Sequence, residues 1–580
     1  MQPVHCHSYL RKHRIKNNGN IMSNSSESVG YDSPSDASYR IYASISFAIL
    51  LLGVGVPLWW HTTAVPRVAL PYDGIARLSD LEIKISTKIF VAAFTQDRAN
   101  LLADEIRDGL KSAAELYNLQ ILPEVISRNL VSSAFTPHEL EKVADTFSLQ
   151  VGELLLLETP NLTEDVLVGT QRTIFFSSET SGPKLTQVLS DWVLLDKSLA
   201  LTRNALAEPT QFSLDKENRR RFPANPAYDV LLTLVNPYPE KLSVNWNFPT
   251  VIDEYVKPFL DEVSVVANFS LKSQWLYLMP LEMTPKQIPD STILGRHYAL
   301  PEDVLQQIIT PLEKKLASQI SLNPCINLVM YTPPCDQAPL HIYTRTGHRS
   351  RPASSIEAFL SPRWGGVVIA NPPVETCKEM EDQGKVTFIP DAAGIMGFFI
   401  FHLRLLLGIP DLAPISGTSI VQLDNSKPRQ WELDALLRIK AVEQLTSAKL
   451  TLQSLAQLLE EISNIVITDT VGDRINGALE LVEDSAKKLN RGELLDGFAL
   501  SKEAFVTAET AFTDPSLLAL LYFPDDQKYA VYIPLFLPVM IPVLLSLTNI
   551  WKHIFSKKES KENKVDCDKN TEEIEKPKTD

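Results

Sequence analysis

The chain has 580 residues, with 55 Lys and Arg against 70 Asp and Glu, a net charge of −15 and five cysteines. That acidic balance excludes nucleic acid as a partner, because a phosphate backbone needs a basic footprint. The length is ample for a large core that needs no disulfide staples.

Residues 1–40 are polar and Ser/Asn-rich around NSSESVGYDSPSDAS, so a disordered tail is expected there. Ile41–Trp60, IYASISFAILLLGVGVPLWW, carries no charged residue. It matches the roughly 20 residues that an α-helix needs to cross about 30 Å of hydrocarbon. Its Trp59-Trp60 end sits where a cleavage site wants small residues, so an uncleaved anchor is the preferred reading.

Residues 61–428 then show an α/β rhythm. KISTKIFVAAF (84–94) alternates like a strand, and residues 99–119 carry apolar positions at helical spacing. Strands are expected near 152–157 and 173–178, with one amphipathic helix over 184–206. Asp229–Val235 and Leu242–Trp246 flank the turn NPYPE and read as a hairpin or paired strands. Helices are expected over 252–266, 301–317 and 395–407, and strands over 271–279, 326–331, 341–344 and 366–369. From Arg429 to Val471 there is no Gly or Pro and the leucines keep three-to-four spacing. That pattern predicts a rod of roughly 50–60 Å. With shorter helices at 475–489 and 494–512, residues 429–513 read as a helical hairpin or bundle standing as a stalk. Residues 514–528 form a juxtamembrane segment, with SLLALLYF (516–523) expected at the membrane surface. A second apolar span covers 529–550, and 551–580 reads as a second disordered tail.

The fold class expected is thus an α/β region with mixed sheets, a long-helix hairpin or bundle, and two terminal transmembrane helices. Arg11, Lys12, Arg14, Lys16 and Arg40 precede the first span, and Lys552, Lys557, Lys558, Lys561 and Lys564 follow the second. Positive charge gathers on the cytoplasmic side, so both tails are expected in the cytoplasm and the middle in a lumen.

Sequons at Asn161 and Asn268 are then accessible for N-glycosylation. Three cysteines face the lumen, which allows one bridge plus a free thiol, or an intermolecular bridge. Cys325–Cys335 is the candidate pair because it is nearest in sequence. No HExxH, C-x-x-C, G-x-S-x-G or P-loop occurs. Arg219–Arg221 reads as a solvated junction. SPRWGG (361–366) reads as a tight, specific loop, with Arg363 and Trp364 as structural or interaction candidates. Pro534, Pro538 and Pro542 recur every fourth residue and fall near one helix face, where another helix is a candidate partner.

Several stretches together resemble one family: GVPLWWHTT (55–63), LVNPYP (234–239), EYVKPFL (254–260), NFS (268–270), FLSPRWGG (359–366), LRLLLGI (403–409), SLAQLLEEISNIVI (454–467) and DPSLLALLYFPDDQKYAVYIPLFLP (514–538). The chain resembles the class S (PIG-S) subunits of the GPI transamidase. The resemblance implies a two-pass protein of the endoplasmic reticulum membrane, with no cofactor and no catalytic residues of its own. It implies other transamidase subunits as partners, among them a caspase-like subunit that holds the Cys/His centre. Membrane lipids are implied too, with GPI or proprotein contacted indirectly. The competing reading is a membrane-anchored luminal hydrolase or transferase.

Overall fold

A computed structural model describes residues 34–572 except 212, 214–215, 290–294, 317–320, 351–355, 463 and 520–524. It divides into two compact units: Met1–Val65 with Tyr522–Asp580, and Pro66–Leu521.

In the first unit the chain is helical from Pro34 to Thr63, as Pro34–Ile49, a π-turn Leu50–Gly55, and Val56–Thr63. Pro57 cannot donate to the carbonyl four residues back, and the wide turn with Gly53 and Gly55 absorbs that lost bond. A second helix runs Asp525–Glu572, about 72 Å at 1.5 Å per residue. Ser38–Thr63 and Tyr529–Lys552 are the portions long and apolar enough to cross a membrane. The helix continues well into the stretch read as a disordered tail, which contains no Gly or Pro between 552 and 572. Trp59 packs edge-on against Tyr532 and Phe536, with ring centroids 5.5 and 5.6 Å apart. On the second helix Tyr532, Phe536, Met540, Val543, Leu547 and Ile550 are shielded. Their four-four-three-four-three spacing is that of a packed helical seam.

The second unit holds two large sheets. In the first, the strand order is Thr418–Ile420, Val166–Val168, Thr173–Ser177, Leu154–Thr159, Ile85–Ala93, Tyr117–Val125. Only the pair Val166–Val168 and Thr173–Ser177 is antiparallel. Leu154–Thr159 is buried at every position, as an interior parallel strand with both faces covered must be. The single helix expected over 184–206 is broken: Leu195 takes a left-handed conformation between a π-turn and Asp196–Ala207.

The second sheet runs Ile356–Ser361, Gly365–Ala370, Cys325–Tyr331, Ala227–Asn236, Asn268–Tyr277. Its strands are parallel apart from the hairpin at one edge. Alternation divides its core. Val230, Leu232 and Leu234 face one cluster with the helix Ala392–Leu407. Leu231 and Val235 face another with the helix Leu305–Leu316. The expected pairing of 229–235 with 242–246 does not form. Ala227–Asn236 pairs in parallel with Asn268–Tyr277 and Cys325–Tyr331, and Leu242–Val244 pairs with Val386–Phe388. Two prolines in NPYPE end the strand but do not make a two-residue hairpin turn.

Three helices complete this unit: Gln430–Glu461, Asp469–Asn490 and Leu494–Phe512. The first spans about 48 Å. It stops short of the expected rod, since β-branched residues follow and Ile467 bridges to Arg67. Thr468 then caps the next helix by accepting from Val471 N–H. The stalk expected from the leucine pattern is not a free rod, because every residue from Asp434 to Thr446 is buried. A helix covered on all sides is a core element rather than a support.

Candidate functional site

The buried half of the long helix carries an unusual load of charge. Asp434 accepts a two-pronged pair from Arg172, Nε to Oδ2 at 2.6 Å and the outer nitrogen to Oδ1 at 3.0 Å. Asp434 also accepts from Gly152 N–H, and one turn later Arg438 donates to Gly152 C=O at 2.9 Å. Trp431 Nε1–H donates to Gly169 C=O, and Arg404 pairs with Glu432 at 2.6 Å. Farther along, Glu443 is held between Arg221 at 2.5 Å and Lys440 at 3.2 Å. Burial opposes the Glu443 carboxylate, but Lys440 and Arg221 outweigh it and hold its carboxyl below the usual range. Burial lowers the Lys440 ammonium, and Glu443 only partly offsets that. These residues reach loops of both sheets, so the helix ties the two halves together through buried polar contacts, with Arg438 Nε and Nη1 left without a hydrogen-bond partner among the described residues.

Arg219–Arg221 is therefore not simply a solvated junction. Arg219 is exposed, Arg220 is half-buried, and Arg221 lies inside on Glu443. Three like charges in a row carry no sign of which one turns inward.

The SPRWGG segment is the turn of the edge hairpin. Ser361 pairs with Gly365, and Arg363 occupies the left-handed region at φ 54° that a three-residue hairpin turn requires. Arg363 N–H donates to Arg220 C=O, and its side chain is exposed. Trp364 is buried in the cluster under the helix Leu305–Leu316. A Cβ at Gly365 would lie 1.9 Å from Asn327 O, and one at Gly366 would lie 2.1 Å from His402 Nδ1. The paired glycines let this strand press against both the neighbouring strand and the helix Ala392–Leu407.

The bridge in the structure is Cys335–Cys377, with Cα atoms 5.4 Å apart. Cys325–Cys335, the nearer pair in sequence, is thus corrected. Cys325 begins a sheet strand, its thiol 3.6 Å from Asn327 Oδ1, whereas Cys335 lies in the connection beyond the strand's end. Burial, and secondarily Asp229, push the Cys325 thiol up. An activated nucleophile needs the opposite shift. His341 places Nδ1 3.0 Å from Glu357 Oε1. Among the described residues, no group of three His, Cys, Asp or Glu is arranged to hold a metal.

Asn161 and Asn268 are both exposed, Asn161 beside Ser132 C=O and Asn268 at the start of a strand. Pro534, Pro538 and Pro542 are all exposed and lie off the seam that packs against the first span. Residues 520–524, which include the second half of the SLLALLYF stretch, lie outside the described residues.

Comparison with known proteins adds to this geometry. The family described as phosphatidylinositol-glycan biosynthesis class S protein matches residues 46–557. A Rattus norvegicus protein named GPI-anchor transamidase component PIGS is 34% identical over 546 residues, covering 88% of this chain and 94% of its own length. The Homo sapiens protein of that name is 34% identical over 544 residues, with the same coverage. A Schizosaccharomyces pombe protein named GPI transamidase component PIG-S homolog is 25% identical over 526 residues, covering 88% of this chain and 84% of its own.

Proposed function

The chain belongs to the phosphatidylinositol-glycan biosynthesis class S family, and from that premise we propose how it acts. It is a component of the GPI transamidase, which attaches GPI anchors to protein C-termini. The observation that carries this reading is 34% identity, over nearly the full length of both chains, to proteins bearing that name.

The chain resides in the endoplasmic reticulum membrane, crosses it at Ser38–Thr63 and Tyr529–Lys552, and keeps both tails in the cytoplasm. Residues 66–521 stand in the lumen, where exposed Asn161 and Asn268 receive glycans. The acyl transfer takes place on another subunit. Supporting that division, the Cys325 thiol is pushed up, and the charged groups of the long helix are consumed in holding the two sheets together. This chain contributes assembly: a rigid luminal body and a pair of spans whose proline face meets a neighbouring transmembrane helix.

The test is deletion of the chain in its own cells, followed by a GPI-anchored surface reporter and its uncleaved precursor. Loss of surface reporter with accumulation of precursor, reversed by the full chain, is expected. Normal processing overturns the reading. Asn161→Gln and Asn268→Gln should each remove one endoglycosidase-sensitive shift, and an unshifted parent chain would refute the orientation.

A further inference from the structure

The second sheet ends in an edge that lacks the usual protections. Asn268–Tyr277 is ten residues long and pairs without interruption, from Ala227↔Asn268 to Asn236↔Tyr277. Among the described residues no strand pairs with its outer side. Native edges are blunted by short length, bulges, proline, outward lysine or a covering element. Here the register has no bulge and the strand no proline. Its one lysine, Lys272, is turned onto Asp229 of the neighbouring strand at 2.5 Å.

Backbone parity shows which groups are open. Asn268 N–H donates to Pro226 C=O and Leu278 N–H donates to Asn236 C=O. Even-numbered residues therefore face inward to the sheet. Phe269, Leu271, Ser273, Trp275 and Tyr277 present N–H and C=O outward, since these groups alternate along a strand. The same odd-numbered residues share one face. There Trp275 packs edge-on against Phe248 at 5.6 Å and lies 6.2 Å from Tyr277. Trp275 is 37% exposed, Tyr277 52% and the following Leu278 70%. Large apolar side chains beside unpaired backbone groups fit an added strand, which offers both ladder bonds and cross-strand neighbours.

We propose that Asn268–Tyr277 is a docking edge that takes an extended segment of a sister transamidase subunit as the sheet's next strand, with Trp275 and Tyr277 as its side-chain anchors. The proposal rests on the transamidase reading above. An extended peptide is the occupant because only a peptide strand supplies donors and acceptors at the spacing this edge presents, about 6.6 Å between successive outward residues. The exposed Asn268 stands at the first residue, so a glycan there limits the docked strand to the Leu271–Tyr277 end.

The test uses the full chain in its own cells. A photocrosslinking amino acid is placed at Ser273, at Tyr277 and, as a control, at exposed Leu101 on a helix of the other sheet. Crosslinks from 273 and 277, but not 101, to one transamidase subunit identified by mass spectrometry are expected. Ser273→Pro removes an outward N–H while sparing the inward ladder. It should cut recovery of that subunit at least tenfold with the melting temperature of the chain unchanged, and Ser273→Ala should not. Co-purification with the transamidase but no crosslink from 273 or 277, or crosslinks only to lipid or to a second copy of this chain, overturns the docking edge and leaves the subunit role standing. Failure to co-purify with any transamidase subunit overturns the subunit role and the docking edge with it.

Discussion

The buried half of the long helix and the two membrane spans invert the ordinary relation between polarity and exposure. Asp434–Thr446 contains Asp434, Arg438, Lys440 and Glu443, all buried inside the unit Pro66–Leu521. The span Tyr529–Lys552 is apolar, yet Val539, Ile541 and Leu544 remain exposed in this chain alone. The difference lies in the solvent each surface meets. In the first case Asp434, Lys440 and Glu443 each meet a fixed charged partner, while Arg438 is held by the Gly152 carbonyl. In the second, apolar surface carries no such cost in hydrocarbon, where lipid or a neighbouring helix can cover it.

Removing a partner is the strongest way to break that comparison. Glu443→Gln leaves Arg221 and Lys440 buried without their counter-charge, and it should cost about 3–5 kcal/mol in thermal unfolding of the detergent-solubilised chain. The lowered carboxyl of Glu443 adds a pH signature. Its stabilisation is complete above the ordinary carboxylate range and is lost as pH falls through the lowered value. Acid sensitivity should therefore be reduced in Glu443→Gln, and an unaltered acid limb would refute the buried pair.

The converse change puts a charge where lipid is expected. Ile541→Arg lies near the centre of the second span, and insertion should become less favourable by about 2.5–3.5 kcal/mol in a glycosylation-reporter assay. Undiminished insertion would mean that this face is not in contact with lipid.

Smaller effects sharpen the packing side. Gly366→Ala drives a methyl toward His402 and should cost about 1–3 kcal/mol, read as a lower melting temperature. The arginine run supplies the mildest contrast. Arg219→Ala should shift stability by no more than about 0.5 kcal/mol. Arg221→Ala should approach the Glu443 effect, because it strips the same buried pair. Equal effects at 219 and 221 would show that the run acts as one exposed patch.

Much of the architecture was legible because it depends on local pattern. The spans follow from some twenty apolar residues, the alternation in 84–94 matches the strand Ile85–Ala93, and the Gly-free run after Pro428 matches a 32-residue helix. The SPRWGG reading as a tight loop is met by Arg363 in the left-handed region and by two glycines under close contact. Less was legible of the candidate surfaces. The open edge of Asn268–Tyr277 exists only because two other strands and a hairpin fill the sheet on its far side.

Hydrophobic periodicity and the two long apolar stretches set the candidate spans and the alternation of helix and strand, and motifs such as FLSPRWGG and DPSLLALLYFPDDQKYAVYIPLFLP carried the resemblance to the family. These are properties of neighbouring residues, and neighbours are what a sequence records. Tertiary structure alone decided that Cys335 pairs with Cys377, that Ala227–Asn236 pairs with strands distant in sequence, and that Arg221 rather than Arg219 turns inward. Each depends on which distant groups share a space of a few ångströms, and that is settled only when the two sheets close around the long helix.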